Sequence, residues 1–199
     1  MGYIRPLVQG VSKEQVNRRP LLALAGGFIV SAVLIYAVLW ITGLALGLPR
    51  LSVSVRLLVA SGVILIGAAA DSGRFPLRGL SWQRQTPRIA WAMFGPTRAA
   101  LLWGFDTGLA FTTYRITSLT WVGFGAALLH LAPWWSGLMY GVAFMIPTAS
   151  DILRPAGARD ETLSYISRYS SWERRVRTSA LGLLLFLGIA SATAGAMML

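Results

Sequence analysis

The sequence predicts an all-α, polytopic transmembrane bundle of about five spans, and three observations predict it. Of 199 residues, 55% are hydrophobic and only 13% charged, where a soluble domain carries about 25% charged residues. The apolar residues gather in runs long enough to cross a bilayer, which takes about 20 per helix. The basic residues gather between those runs.

The first segment, roughly 20–47, is a single apolar run closed by a turn at Leu48-Pro49-Arg50. It begins near Pro20, is too long for a signal-peptide core and has no small-residue cleavage site, so it is expected to be retained as a span. The second segment covers roughly 52–71, the fourth 134–153 and the fifth 179–199. The third, roughly 99–132, is too long to be simple. As a straight helix its 34 residues would reach about 51 Å, against a hydrocarbon core of about 30 Å. It is expected to be a long tilted helix, a broken one, or a re-entrant hairpin followed by a crossing. The whole chain reads as one transmembrane domain.

Charge sets the expected topology. The net charge is +11, and fifteen of the 18 Lys and Arg lie in residues 1–20, 74–98 and 154–177. Basic loops mark the cytoplasmic face and its anionic lipid headgroups. Five crossings then place the N-terminus inside and the C-terminus outside. Splitting residues 99–132 into two crossings would put the six-arginine loop outside. The same clustering argues against nucleic acid as partner, since the charge is parcelled between spans rather than spread on one binding face.

The loops carry their own pattern. Residues 159–175 place Leu163, Ile166 and Tyr169 at helical spacing, which predicts an amphipathic helix at headgroup level. A shorter segment is expected over 85–95, stopped by Gly95-Pro96. An internal repeat is also legible, approximately 20–84 and 99–174. Gly27-Phe28 matches Gly104-Phe105, and Asp71-x-x-Arg74 matches Asp151-x-x-Arg154. Ser81-Trp82-Gln83-Arg84 matches Ser171-Trp172-Glu173-Arg174. These acidic, basic and tryptophan side chains are expected at the cytoplasmic interface, with local pairs such as Asp71 with Arg74.

The third segment holds the candidate site. At 100° per residue, Asp106, Thr113, Thr117 and Thr120 fall within about 60° of one another on a continuous helix, and Arg115 lies about 180° from Asp106. Charge inside a span marks function more often than chance, so this stripe is a candidate path for a polar solute or ion. The bland alternative is that the threonines bond their own backbone and Arg115 snorkels outward. Gly104 and Gly108, Gly137 and Gly141, and Gly43 and Gly47 have the four-residue spacing that lets helices approach closely. Packing within one bundle is the first expectation for them, ahead of association between copies.

Catalytic patterns are missing from the sequence. It has no cysteine and one histidine, His130, in the uncharged turn after the third segment. No metal cluster, nucleophile elbow or phosphate loop is present, and no cofactor or metal is expected. The stretch GFDTGLAFTTYRITSLTW, followed by a helix rich in small residues, resembles spans in small bacterial inner-membrane proteins of the LysE and cytochrome c biogenesis CcdA-like group. That resemblance implies a compact bundle of duplicated helices moving a small solute or electrons. The CcdA-like branch works through paired membrane cysteines, which this chain lacks, so thiol electron transfer does not carry over. The expected function is a permease-like or channel-like membrane protein, forming a homo-oligomer or joining a larger complex. The alternative is a non-catalytic accessory subunit.

Overall fold

A computed structural model describes residues 18–72, 89–109, 117–153 and 162–199, with side chains described for 19–72, 93–109, 117–149 and 174–199. These residues form six α-helices: α1 (Arg18–Ala45), α2 (Val53–Asp71), α3 (Ile89–Gly108), α4 (Leu119–Leu128), α5 (Ser136–Leu153) and α6 (Thr162–Met197). Among the described residues three stretches are long and apolar enough to span a membrane: Arg19–Ala45, Val53–Asp71 and Arg174–Met197.

Local chemistry explains where the helices stop. After α1, Gly47 takes a left-handed φ of 71° and Pro49 starts a short 3-10 turn, Leu48–Arg50. Ser52 then caps α2, its hydroxyl accepting from the Val55 amide at 3.3 Å. In α3, Gly95 interrupts the helix with φ 71° and ψ 169° just before Pro96; only glycine adopts that backbone cheaply. The residues before this kink are the shorter segment expected over 85–95, of which 85–88 lie outside the described residues.

Two expectations are revised. Of the amphipathic helix expected over 159–175, residues 159–161 lie outside the described residues and 162–175 are not a separate helix, because they run without interruption into the last span as one 36-residue α6. No glycine or proline occurs between Thr162 and Leu181, so nothing in the chain chemistry ends the helix there. The third segment is a broken helix: α3 ends at Gly108 and α4 starts at Leu119. A helical wheel drawn across residues 106–120 therefore does not describe this chain, and the shared face of Asp106, Thr117 and Thr120 is not a helix face.

The helices pack in two groups. α1 lies against α3 and α5, while α2 lies against α6, and α4 touches both α1 and α2. Direction follows from the contacts. Gly137 approaches Ala32 and Val33 whereas Gly141 approaches Ile29, so α5 runs antiparallel to α1. Ser61 donates to the Gly188 carbonyl at 2.8 Å and Ser54 to the Met198 carbonyl at 3.1 Å, so α6 runs antiparallel to α2. The turn after α1, the turn after α4 and the end of α6 thus lie together at one end of the bundle.

The core is aromatic beside α1 and aliphatic beside α2. Phe28, only 1% exposed, stacks on Phe144 with ring centroids 4.4 Å apart. Tyr36 meets Phe124 edge-on at 5.5 Å. Ile64, Ala68 and Leu184 form the α2–α6 core, with Leu119 and Val122 of α4 against them.

Candidate functional site

The α1–α3 seam is made by small residues. A Cβ on Gly27 would strike the Leu101 carbonyl and the Phe105 amide, and a Cβ on Gly104 would strike the Leu24 carbonyl and the Phe28 amide. The two contacts are reciprocal: Leu24-x-x-Gly27-Phe28 meets Leu101-x-x-Gly104-Phe105 with each glycine in the same relation to its partner. One turn on, Gly108 sits against Ser31 and Phe28, so the helices run in the same direction. This is the close backbone approach that small residues allow between membrane helices. The reciprocity is local, since α1 packs on α5 while α2 packs on α6.

Beyond Gly108 the register changes. Gly108 lies beside Ser31, and Leu128 lies beside Gly43. Over that interval α1 advances twelve residues and the facing chain twenty. A ten-residue α4 accounts for half of the twenty. α3 and α4 are two half-helices arranged in succession beside α1.

α2 holds both ends of the second half-helix. At its start, both oxygens of Asp71 are engaged by Ser118: the backbone N–H donates to Oδ2 at 2.7 Å and the hydroxyl to Oδ1 at 2.8 Å. Ser118 occupies the N-cap position, but its own side chain does not cap α4; a carboxylate from another helix does that work. Asp71 sits at the C-terminal end of α2, where the helix dipole disfavours an acid, and at the N-terminal end of α4, where it favours one. At the other end, Arg56 Nη1 donates to the carbonyls of Leu129 and His130, each at 3.3 Å. A cation there complements the α4 C-terminus by the same rule. α2 thus acts as a brace, with an acid and a base matched to opposite ends of a helix antiparallel to it.

The C-terminus of α4 closes tightly. The His130 amide donates to the Ala127 carbonyl at 3.1 Å and the Leu131 amide to the Ala126 carbonyl at 2.9 Å. This is a Schellman motif, whose C′ position favours glycine; here it is His130, with φ 54°. The imidazole lies 4.4 Å from the Trp40 ring. In the first turn of α4, buried Thr120 shares a 3.3 Å hydrogen bond with the Tyr140 hydroxyl of α5.

The residues singled out from sequence distribute as follows. Asp106 is half-buried on α3, Thr117 half-buried two residues before α4, and Thr120 buried within it. Thr113 and Arg115 lie outside the described residues, as do Arg74, Trp82, Arg84 and Arg154. Asp151 and Trp172 are helical, with side chains outside the described set. Gly104, Gly108, Gly137 and Gly141 all face α1. Arg174 is exposed on α6. The sequence reading missed Ser118, Arg56 and Tyr140. Ser118 was findable, because a serine immediately before an apolar run is an N-cap signal. Among the described residues no group of three or more metal-ligating side chains occurs.

No family model, curated protein or solved structure matches the chain. The protein is a membrane-embedded all-α helical protein on the strength of its three candidate spans.

Proposed function

We propose that the protein is a small permease, moving a small solute or ion between its two helix groups beside α4. The observation that carries this reading is the split third segment, whose second half-helix bridges the two groups and is held at each end by one charged side chain of α2. Discontinuous helices are how many transporters present backbone dipoles and polar groups to a solute within the membrane. A half-helix fixed by a few polar bonds can shift as a unit when those bonds exchange partners, whereas an unbroken span cannot. The resemblance of the GFDTGLAFTTYRITSLTW stretch to LysE-like spans supports a small solute. The reciprocal glycine seam supports an origin by duplication, with residues 20–84 and 99–174 as the two copies.

Reconstitution into liposomes tests the reading. Purified protein is challenged in turn with Na⁺, K⁺, a proton gradient and a panel of amino acids. Flux of at least one of these above that of protein-free vesicles is expected, together with a changed rate in Asp71→Asn and in Asp106→Asn. No flux above background for the whole panel, or a flux unaffected by both variants, would sink it. In that event, stoichiometric co-purification of a membrane partner would establish the accessory-subunit alternative.

A further inference from the structure

The foot of α6 carries a basic recess that the permease reading does not use. It is a shallow, largely open depression of about 540 Å³ lined by Arg174, Arg175, Thr178 and Ser179. All four are exposed. They are four of the first six residues of the 24-residue apolar stretch Arg174–Met197, so they lie within about 9 Å of its start along the axis. Buried Ala180 and Leu184 follow directly. The recess therefore opens where the polar end of the span gives way to its apolar body.

Helical spacing gathers its donors. Arg174 and Thr178 are one turn apart, as are Arg175 and Ser179, and the four directions fall within an arc of about 140°. The Thr178 hydroxyl donates to the Arg174 carbonyl at 2.9 Å. Ser179 and the two guanidinium groups are thus left as the donors that face outward. Two planar guanidinium forks beside a hydroxyl suit a phosphate oxyanion, which arginine recognises through paired N–H donors.

We propose that this recess binds the phosphate headgroup of an anionic phospholipid, with the acyl chains lying along the exposed apolar face of α6. Leu183, Phe186 and Ile189 are exposed on the same helix just beyond the recess. A ligand with a phosphate at one end and hydrocarbon at the other matches that sequence of surfaces, whereas free phosphate uses only its first part. The site stands independently of any solute path beside α4.

The test compares lipid retention after purification from nanodiscs of mixed phosphatidylglycerol and phosphatidylcholine, read by native mass spectrometry. Wild-type protein should retain phosphatidylglycerol in preference. Each basic residue near a membrane surface contributes about 1 kcal/mol toward anionic lipid, so the double variant R174Q/R175Q should bind it about 30-fold less tightly. R174K/R175K, which keeps the charge, should fall between the two. Arg50→Gln, an exposed arginine at the opposite end of the bundle, should leave retention unchanged. Both glutamine substitutions are at exposed positions, and circular dichroism of each variant checks that the helices remain. The proposal is overturned if R174Q/R175Q retains as much phosphatidylglycerol as wild type, or if Arg50→Gln lowers retention equally. It is also overturned if millimolar inorganic phosphate displaces the lipid fully, since the recess would then be a phosphate site with no part for the acyl chains.

Discussion

The α1–α3 seam and the seat of α4 are built on opposite principles. The seam is backbone against backbone, made by Gly27, Gly104 and Gly108. The seat of α4 is held by polar side chains at its ends, Asp71 on Ser118 and Arg56 on the last carbonyls. In lipid no hydrophobic force separates the two, because hydrocarbon surrounds both, and association rests on packing and hydrogen bonds. A glycine seam has one good arrangement, set by shape. A charge-capped half-helix has directional bonds that other donors and acceptors can replace. The first suits a fixed frame and the second a part that moves.

The largest effect should come from breaking the seam. Gly104→Val places its side chain on the Leu24 carbonyl and the Phe28 amide, neither of which can step aside. Overpacking of this kind costs about 3 kcal/mol, visible as a lowered unfolding midpoint in detergent. Gly62→Ala is the control, because nothing lies within 4 Å of its added Cβ, and it should stay within about 0.5 kcal/mol of wild type. Equal behaviour of the two variants would show that the close approach does not fix the frame.

Next comes the seat. Asp71→Asn leaves one oxygen to accept from Ser118, where the carboxylate accepts both the amide and the hydroxyl. Hydrogen bonds to charged groups contribute about 1.5–3 kcal/mol, so a loss of about 2 kcal/mol is expected. Hydrogen exchange should locate it at the first turn of α4, with the α1–α3 amides unaffected. Loss of protection spread evenly over α1 and α3 would show that seam and seat are one unit.

Much of this frame was legible in the sequence because it depends on composition and spacing. Apolar runs located the three stretches that are long and apolar enough to span a membrane among the described residues, and four-residue glycine spacing located the faces that meet α1. The length of residues 99–132 showed that a break was one way to fit them into a bilayer. The site was less legible, because its key partners are distant along the chain: Asp71 and Ser118 are 47 residues apart, and Arg56 and Leu129 are 73 apart. Sequence proximity favoured Arg74, which lies outside the described residues, as a partner of Asp71, and no periodicity identifies a carboxylate that caps another helix. The polar stripe failed for a related reason. A helical wheel assumes one continuous helix, and the chain is not helical at Thr117 and Ser118, just before α4.

A smaller effect separates backbone from side chain at the far end of α4. His130 holds a left-handed φ of 54° in the C′ position, a conformation that costs a residue with a Cβ roughly 1 kcal/mol more than glycine. His130→Ala loses the contact with Trp40 and keeps the strain, whereas His130→Gly loses the contact and relieves it. His130→Gly should therefore be more stable than His130→Ala by about 1 kcal/mol, measured by thermal unfolding. Arg56 should serve both equally, because it bonds to backbone carbonyls rather than to the imidazole. The reverse order of stability would mean that the turn relaxes once the ring is gone.

The smallest effect tests whether the start of α4 is fastened by α5 as well as by α2, because Thr120 lies two residues after Ser118. Tyr140→Phe removes the 3.3 Å bond to Thr120 and leaves the ring among Phe28, Tyr36 and Phe144. Side-chain hydrogen bonds between membrane helices average about 0.6 kcal/mol, and this one is long, so the loss should not exceed that figure. Thr120→Val should match it, and the double variant should lose little more than either single one, since both remove one shared bond. A loss above about 2 kcal/mol would show that the start of α4 is fastened to α5 as firmly as to α2. The first turn of α4 would then belong with the frame, through α5 and its contact with α1.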